Sequence, residues 1–225
     1  MGLYIQYGCG TSCPNGWVNF DVSPTLRLQR LPLLGPLFRR GPVVFPAGVR
    51  YGDIVKGLPV ADNSADGVYA SHVLEHLALG DLRLALRNTV RMLKPGGTFR
   101  MVVPDLEARA RKYLSMAGQG DVGASLWLMR STCLGEEQRP RGLQGWARSL
   151  FGNSAHRWMW DAASLSEELR QAGFTAIRRC RFNDAGDPAF QSVEEPSRFH
   201  DRLVGADECA LEARKPGPGE NEPPA

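Results

Sequence analysis

Three groups of residues in this chain have the types and spacing to do chemistry. The first is Gly8-Cys9-Gly10 followed by Asp21. A glycine pair at the end of a strand lets the backbone approach a polar ligand where any Cβ would collide. An acid closing the next strand is placed to accept hydrogen bonds from ribose hydroxyls. Taken alone, a short G-x-G also marks any tight turn. The second group is His72, Glu75 and His76, an H-x-x-E-H string. On a helical turn, positions i and i+4 share a face, and the string matches an inverzincin metal-binding pattern. His156 could add a ligand, but a histidine here also serves as a general base near neutral pH. The third group is His156-Arg157-Trp158-Met159-Trp160-Asp161. It could wall an acceptor pocket with help from Trp127 and Trp146, or it could pack a cap onto a sheet, with Arg157 bridging to an acid.

Strands and helices must position these groups. Leu3–Tyr7 reads as a first strand running into Gly8, and Trp17–Phe20 as a second closed by Asp21. The residues between them are too few for an ordinary helical crossover, so the first helix is expected to be stunted or absent. The interval from Gly8 to Asp21 is also shorter than a nicotinamide fingerprint requires. Strand three is expected over residues 49–53, ending at Asp53, and strand four over residues 67–71. A helix should run from an Asp81 cap to Leu93 on the apolar set Leu82, Leu86, Val90 and Leu93. Lys94-Pro95-Gly96-Gly97 then turns into strand five, residues 98–103. Pro104-Asp105 starts another helix. Asp161 caps a short helix with a core side of Leu165, Leu169 and Ala172 that stops at Gly173. Residues 174–182 and 208–214 complete the strands.

Two stretches interrupt this alternation. Residues 24–48 mix leucines and arginines with Pro24, Pro32, Pro36, Pro42 and Pro46. They read either as a basic, apolar flap touching a membrane through residues 24–40, or as an insertion that packs its leucines and solvates its arginines. The prolines spoil a continuous amphipathic face and favour the second reading. Residues 118–160 are glycine-dotted and rich in Trp and Arg, and read as a cap over the sheet. The tail, residues 215–225, carries four prolines and no apolar cluster, and is expected to be disordered.

The 225 residues, 43% hydrophobic and 23% charged, fit one α/β domain over residues 1–214. A net charge of +3 does not demand a nucleic-acid partner. No apolar run has the length of a membrane span. Strand-like residues from Leu3 leave no room for a signal peptide. Gln6 breaks the myristoylation pattern that Met1-Gly2 opens. The five cysteines are scattered without metal-finger spacing, which suits reduced thiols in the cytoplasm.

In order, Tyr7-Gly8-Cys9-Gly10, Val18-Asn19-Phe20-Asp21, Gly52-Asp53-Ile54, Ser71-His72-Val73-Leu74-Glu75-His76 and Leu93-Lys94-Pro95-Gly96-Gly97 resemble class I S-adenosylmethionine-dependent methyltransferases of the broad type 11 group. The resemblance is strong over residues 3–105 and weaker over 156–182. It implies a Rossmann-like, doubly wound, mostly parallel seven-stranded sheet with an antiparallel last strand. It also implies that the backbone at Gly8 and Gly10 meets the methionyl carboxylate, that Asp21 holds the ribose and that Asp53 takes the adenine amino group. Ile54 would pack on the ring, with Ser71 completing the cofactor set. The chain departs from the family in its missing first helix, its leucine-rich insertion and the lack of a cap before strand one. Subgroups with this short first loop are often found beside sugar-transfer genes. The implied function is methyl transfer to an oxygen or nitrogen of a small-molecule or glycan-type acceptor, with His72 and His156 as candidate bases and no metal assigned. The alternative is a non-catalytic binding module that keeps the fold, with or without the cofactor. A nicotinamide or nucleotide-sugar enzyme is disfavoured by the short glycine-to-acid span.

Overall fold

A computed structural model describes residues 2–33, 35–41, 43–137, 142 and 155–219. Leu34, Pro42, Trp146 and residues 220–225, about which the sequence made claims, lie outside them. The main sheet has seven strands: β1 (Tyr4–Tyr7), β2 (Trp17–Asp21), β3 (Val49–Tyr51), β4 (Ala65–Ser71), β5 (Leu93–Val103), β6 (Thr175–Arg179) and β9 (Cys209–Arg214). Their order is β3-β2-β1-β4-β5-β9-β6. The first five are parallel, and β9 runs antiparallel to both β5 and β6. A separate two-stranded hairpin joins β7 (His200–Asp201) to β8 (Ala206–Asp207).

Parallel β1 and β2 are joined without a helix, as their spacing predicts. Residues 8–16 make turns instead, closed by Cys9 N–H donating to Phe20 O and Ser12 N–H to Cys9 O. The described residues of the 24–48 stretch hold two short helices, α1 (Pro24–Gln29) and α2 (Gly35–Phe38). Its leucines do not behave as expected. Leu26 is buried, but Leu31, Leu33 and Leu37 are exposed. Prolines at 32 and 36 keep these helices too short to turn one continuous apolar face inward.

Helix α3 (Leu79–Met92) begins earlier than expected. Ala78 is its N-cap, and Asp81 sits in the first turn, where its charge complements the helix dipole. Asp105 caps α4 (Leu106–Gly118), and α5 (Ala124–Ser131) follows. Asp161 and Ser164 form a reciprocal capping box at the start of α6 (Ala162–Gln171).

Alternation along the strands divides the core between the two sheet faces. Val68, Met101 and Leu211 pack with Leu82 and Leu86 of α3 and Leu165 and Leu169 of α6. Their neighbours Tyr69, Val102 and Ala210 pack on the other face with Trp17, Phe190, Val193 and Phe199. That second face is therefore covered by residues 183–199, a stretch of short turns around the 3-10 helix Pro188–Ser192 and α7 (Pro196–Phe199).

Candidate functional site

The carboxyl edge of a doubly wound sheet is where ligands bind, at the point where strand order reverses. Here that point lies between β1 and β4. Gly8 and Gly10 leave β1 with φ of +62° and +55°, a region that costs a side-chain-bearing residue strain. A Cβ on Gly8 would lie 2.3 Å from Val73 Cγ2, so the turn after β4 rests directly on the glycine loop. A Cβ on Gly10 would meet nothing within 4 Å, so the loop opens outward there.

Asp21 joins this loop to the end of β2. Gly10 N–H donates to its Oδ2 and Ser23 N–H to its Oδ1, both at 2.8 Å. Each carboxylate oxygen can accept again, so the acid is oriented without being used up. Asp53 follows β3, with Oδ1 accepting from Val55 N–H at 3.0 Å and Oδ2 lying 3.5 Å from the exposed Lys56 ammonium. Ile54 beside it is buried, and Ser71 closes β4. Burial pushes the Cys9 thiol up to about 12, which leaves no thiolate for nucleophilic work.

His72 adopts a φ of +54°, rare for a residue with a side chain, and so breaks away from β4 over the sheet edge. Its Nε2 is 3.1 Å from Arg198 O and its Nδ1 3.4 Å from Glu75 Oε1. Burial favours the neutral ring, but the Glu75 carboxylate and the Arg198 carbonyl outweigh it and raise the pKa. The 3-10 turn Leu74–His76 then drops Glu75 into the protein with a side-chain exposure of 1%. Arg157 N–H and Trp158 N–H both donate to Glu75 O, at 2.7 and 3.1 Å, fastening the 156–160 segment over this turn. His156 thereby stands against His76, with ring centroids 5.0 Å apart. Burial holds the His156 pKa below its ordinary value.

The aromatic patch is divided. Trp160 and Met159 are buried, Trp160 in the core beside α6, while Trp158 is 43% exposed. Trp160 is therefore a cap-to-sheet contact rather than a pocket wall. A cavity of about 690 Å³ lies instead between β6, β9 and the 183–207 stretch, lined by Arg179, Arg181, Phe182, Phe199 and His200 among others. Pro196 and Phe199 on its wall flank Arg198, whose carbonyl meets His72. This cavity is not legible in the sequence, because residues 183–207 have no helical or strand period to reveal where they pack.

A methyltransferase-domain family model matches residues 36–101, from α2 into β5. The matched stretch carries Asp53, Ile54, Ser71 and the H-x-x-E-H turn, and excludes the Gly8–Asp21 loop. No curated protein matches the chain. Among solved structures it is similar to a SAM-dependent methyltransferase from Methanosarcina mazei, at 14% identity over 96% of this chain and 93% of that one, with a TM-score of 0.49. For a SAM-dependent methyltransferase from Archaeoglobus fulgidus the figures are 15% identity, 95% and 86%, with a TM-score of 0.48. For the Burkholderia thailandensis 1,6-didemethyltoxoflavin-N1-methyltransferase, solved with 1,6-didemethyltoxoflavin and S-adenosylhomocysteine, they are 16%, 96% and 71%, with a TM-score of 0.47. These likenesses are too distant to carry an acceptor across. The methyltransferase-domain match runs through β3, β4 and α3, within a sheet of order β3-β2-β1-β4-β5-β9-β6 whose β9 is antiparallel, the arrangement that the resemblance to class I S-adenosylmethionine-dependent methyltransferases implied.

Proposed function

We propose that this chain transfers the methyl group to an oxygen or nitrogen of a small-molecule or glycan-type acceptor. The observation that carries the reading is the meeting of the Gly8–Gly10 loop, Asp21 and the His72–His76 turn at one switch point of the sheet. The cofactor fits this edge on two counts. The loop has open space above Gly10, and Asp21 is held by backbone donors with accepting capacity left on both oxygens. Gly8 and Gly10 would receive its carboxylate, Asp21 its ribose and Asp53 its adenine amino group, with Ile54 and Ser71 beside them.

When bound, S-adenosylmethionine supplies a methyl carbon already activated by the positive sulfur it leaves. The protein therefore has to align the acceptor in line with that bond and exclude water. A hydroxyl acceptor would also have to lose its proton as it takes the methyl group. With the ring swung off Arg198 O and its one proton on Nδ1 facing Glu75, His72 would take that proton at Nε2, and the Glu75 carboxylate would stabilise the imidazolium formed. The cavity beside Arg198 would hold the acceptor. Its arginines, its acids and Phe199 suit a polar, hydroxylated molecule better than an apolar one.

The test is a screen of acceptors, hydroxylated and amine-bearing, for release of S-adenosylhomocysteine. Turnover on a glycan or small polar acceptor that falls in His72→Ala supports the reading. Tight cofactor binding with no turnover on any acceptor class would instead make the chain a binding module.

A further inference from the structure

Glu75 is a buried carboxylate with no hydrogen bond to either oxygen, the His72 ring standing off at 3.4 Å from Oε1. The His156 Nδ1 atom is likewise buried and without a partner. Buried polar atoms are normally satisfied, and a carboxylate left unpaired is costly. His76 adds a third such group. Its Nδ1 lies 3.1 Å from Ala155 O, a pairing that requires the proton on Nδ1 and leaves a bare lone pair on Nε2. That Nε2 faces Glu75 Oε1 at 3.9 Å. In the neutral ring these are two acceptors facing each other, an arrangement that a cation bound between them would relieve. The candidate ligand atoms of Glu75, His76 and His156 all lie within 4.8 Å of one another. Ligands around a tetrahedral zinc, with bonds of roughly 2.0–2.2 Å, stand about 3.3 Å apart, so closing on an ion needs side-chain movement alone.

The geometry points to a divalent transition-metal site formed by Glu75, His76 and His156. Two imidazoles and one carboxylate suit Zn²⁺, Fe²⁺ or Mn²⁺ and leave coordination positions open. The parts that fix the ligands are already in place. Ala155 O sets the His76 tautomer, as outer partners of metal-bound histidines usually do, and the Arg157 and Trp158 amides pin the His156 segment to the Glu75 turn. From sequence, the H-x-x-E-H string suggests His72 as a ligand. The fold turns His72 outward to Arg198 and brings in His156 instead. The site lies on the turn that rests on Gly8. If methyl transfer is the function, which this one step assumes, the open positions take the acceptor hydroxyl and lower its pKa.

Cobalt titration of the full chain, with no S-adenosylmethionine present, tests the site directly. The expected result is saturable visible absorption at one equivalent of Co²⁺, displaced by Zn²⁺. It should be lost in Glu75→Gln and His156→Ala, each shown to be folded by circular dichroism, and kept in His72→Ala. No saturable binding by the folded wild-type chain would overturn the proposal. So would thiolate charge-transfer bands that survive His156→Ala, since they would put the ion on cysteine. Calorimetry of S-adenosylmethionine on the same samples reads the cofactor site separately, so either site can fail without the other.

Discussion

Two buried charges in this protein are treated in opposite ways. Arg100, on β5, is 1% exposed, and its guanidinium is fully engaged. Nε donates to Glu194 at 2.7 Å, Nη1 to Glu212 at 2.6 Å and Nη2 to Arg181 O at 3.0 Å, while Asp184 Oδ1 accepts from both Nη atoms. Arg178 and Asn183 satisfy the remaining oxygens of Glu212 and Glu194. Glu75, on the other side of the sheet edge, is equally buried, yet neither of its oxygens receives a hydrogen bond. A closed network of this kind locks the 183–199 stretch onto its sheet face. An open one is where a ligand, an ion or a transferred proton has something left to bind. The difference separates charge used to hold the fold from charge held in readiness for chemistry.

The largest effect should come from Arg100→Ala. It leaves Glu194 and Glu212 buried without their partner and should cost about 3–5 kcal/mol, measured by urea unfolding. Glu75→Gln in metal-free protein should behave oppositely, because the charge it removes accepts no hydrogen bond and has only the His72 and His76 rings beside it, at 3.4 and 3.9 Å. Unchanged or increased stability is expected. A loss as large as that of Arg100→Ala would make Glu75 a structural ion-pair partner of His72 and end the contrast.

Turnover comes next. His72→Ala and His156→Ala should each lower the rate on the true acceptor by about 10²-fold or more, the scale of lost acid–base catalysis, while leaving cofactor affinity nearly unchanged. The two differ in cause: the His156 variant should lose the ion as well, and the His72 variant should retain it. Near-normal rates in both folded variants would leave catalysis to alignment alone.

A smaller effect belongs to Asp161, whose side chain accepts from Ser164 N–H at 2.7 Å. Asp161→Ala should cost about 1 kcal/mol as a lost helix cap. The Ser164 amide holds the Asp161 pKa below the usual carboxylate range. A depressed folded pKa gives stability that is full above the unfolded value and is lost as pH falls through the folded one. The gap between wild type and variant should therefore narrow in acid, below about pH 4. A gap independent of pH would mean that the cap does not depend on the charge.

What could be read from sequence follows from how far apart partners lie. The Asp161 cap and Ser164 are three residues apart, and the Gly8-to-Asp21 loop is short enough for its lack of a helix to be counted off directly. The strand and helix segments were legible from their alternation, with the Lys94-Pro95-Gly96-Gly97 turn among them, and the mostly parallel seven-stranded sheet was what the family resemblance implied. Arg100 gave no such signal. In an alternating strand it reads as a solvated charge, and its partners Glu194 and Glu212 lie 94 and 112 residues away. The same distance hid the covering role of Phe190, Val193 and Phe199. The H-x-x-E-H string was visible, but its spacing assumed one regular helical turn. The positive φ at His72 sends that histidine outward and leaves its place to His156, far along the chain.

The central claim is that the Gly8–Asp21–Asp53 edge holds S-adenosylmethionine. Calorimetric titration of that cofactor into the full chain and into Asp21→Ala tests it most directly. The wild type should bind one equivalent, and Asp21→Ala should bind more weakly by about 1.5–3 kcal/mol, the range for hydrogen bonds to a charged group. Equal affinity in the two folded proteins, or no binding by the wild type, would contradict it.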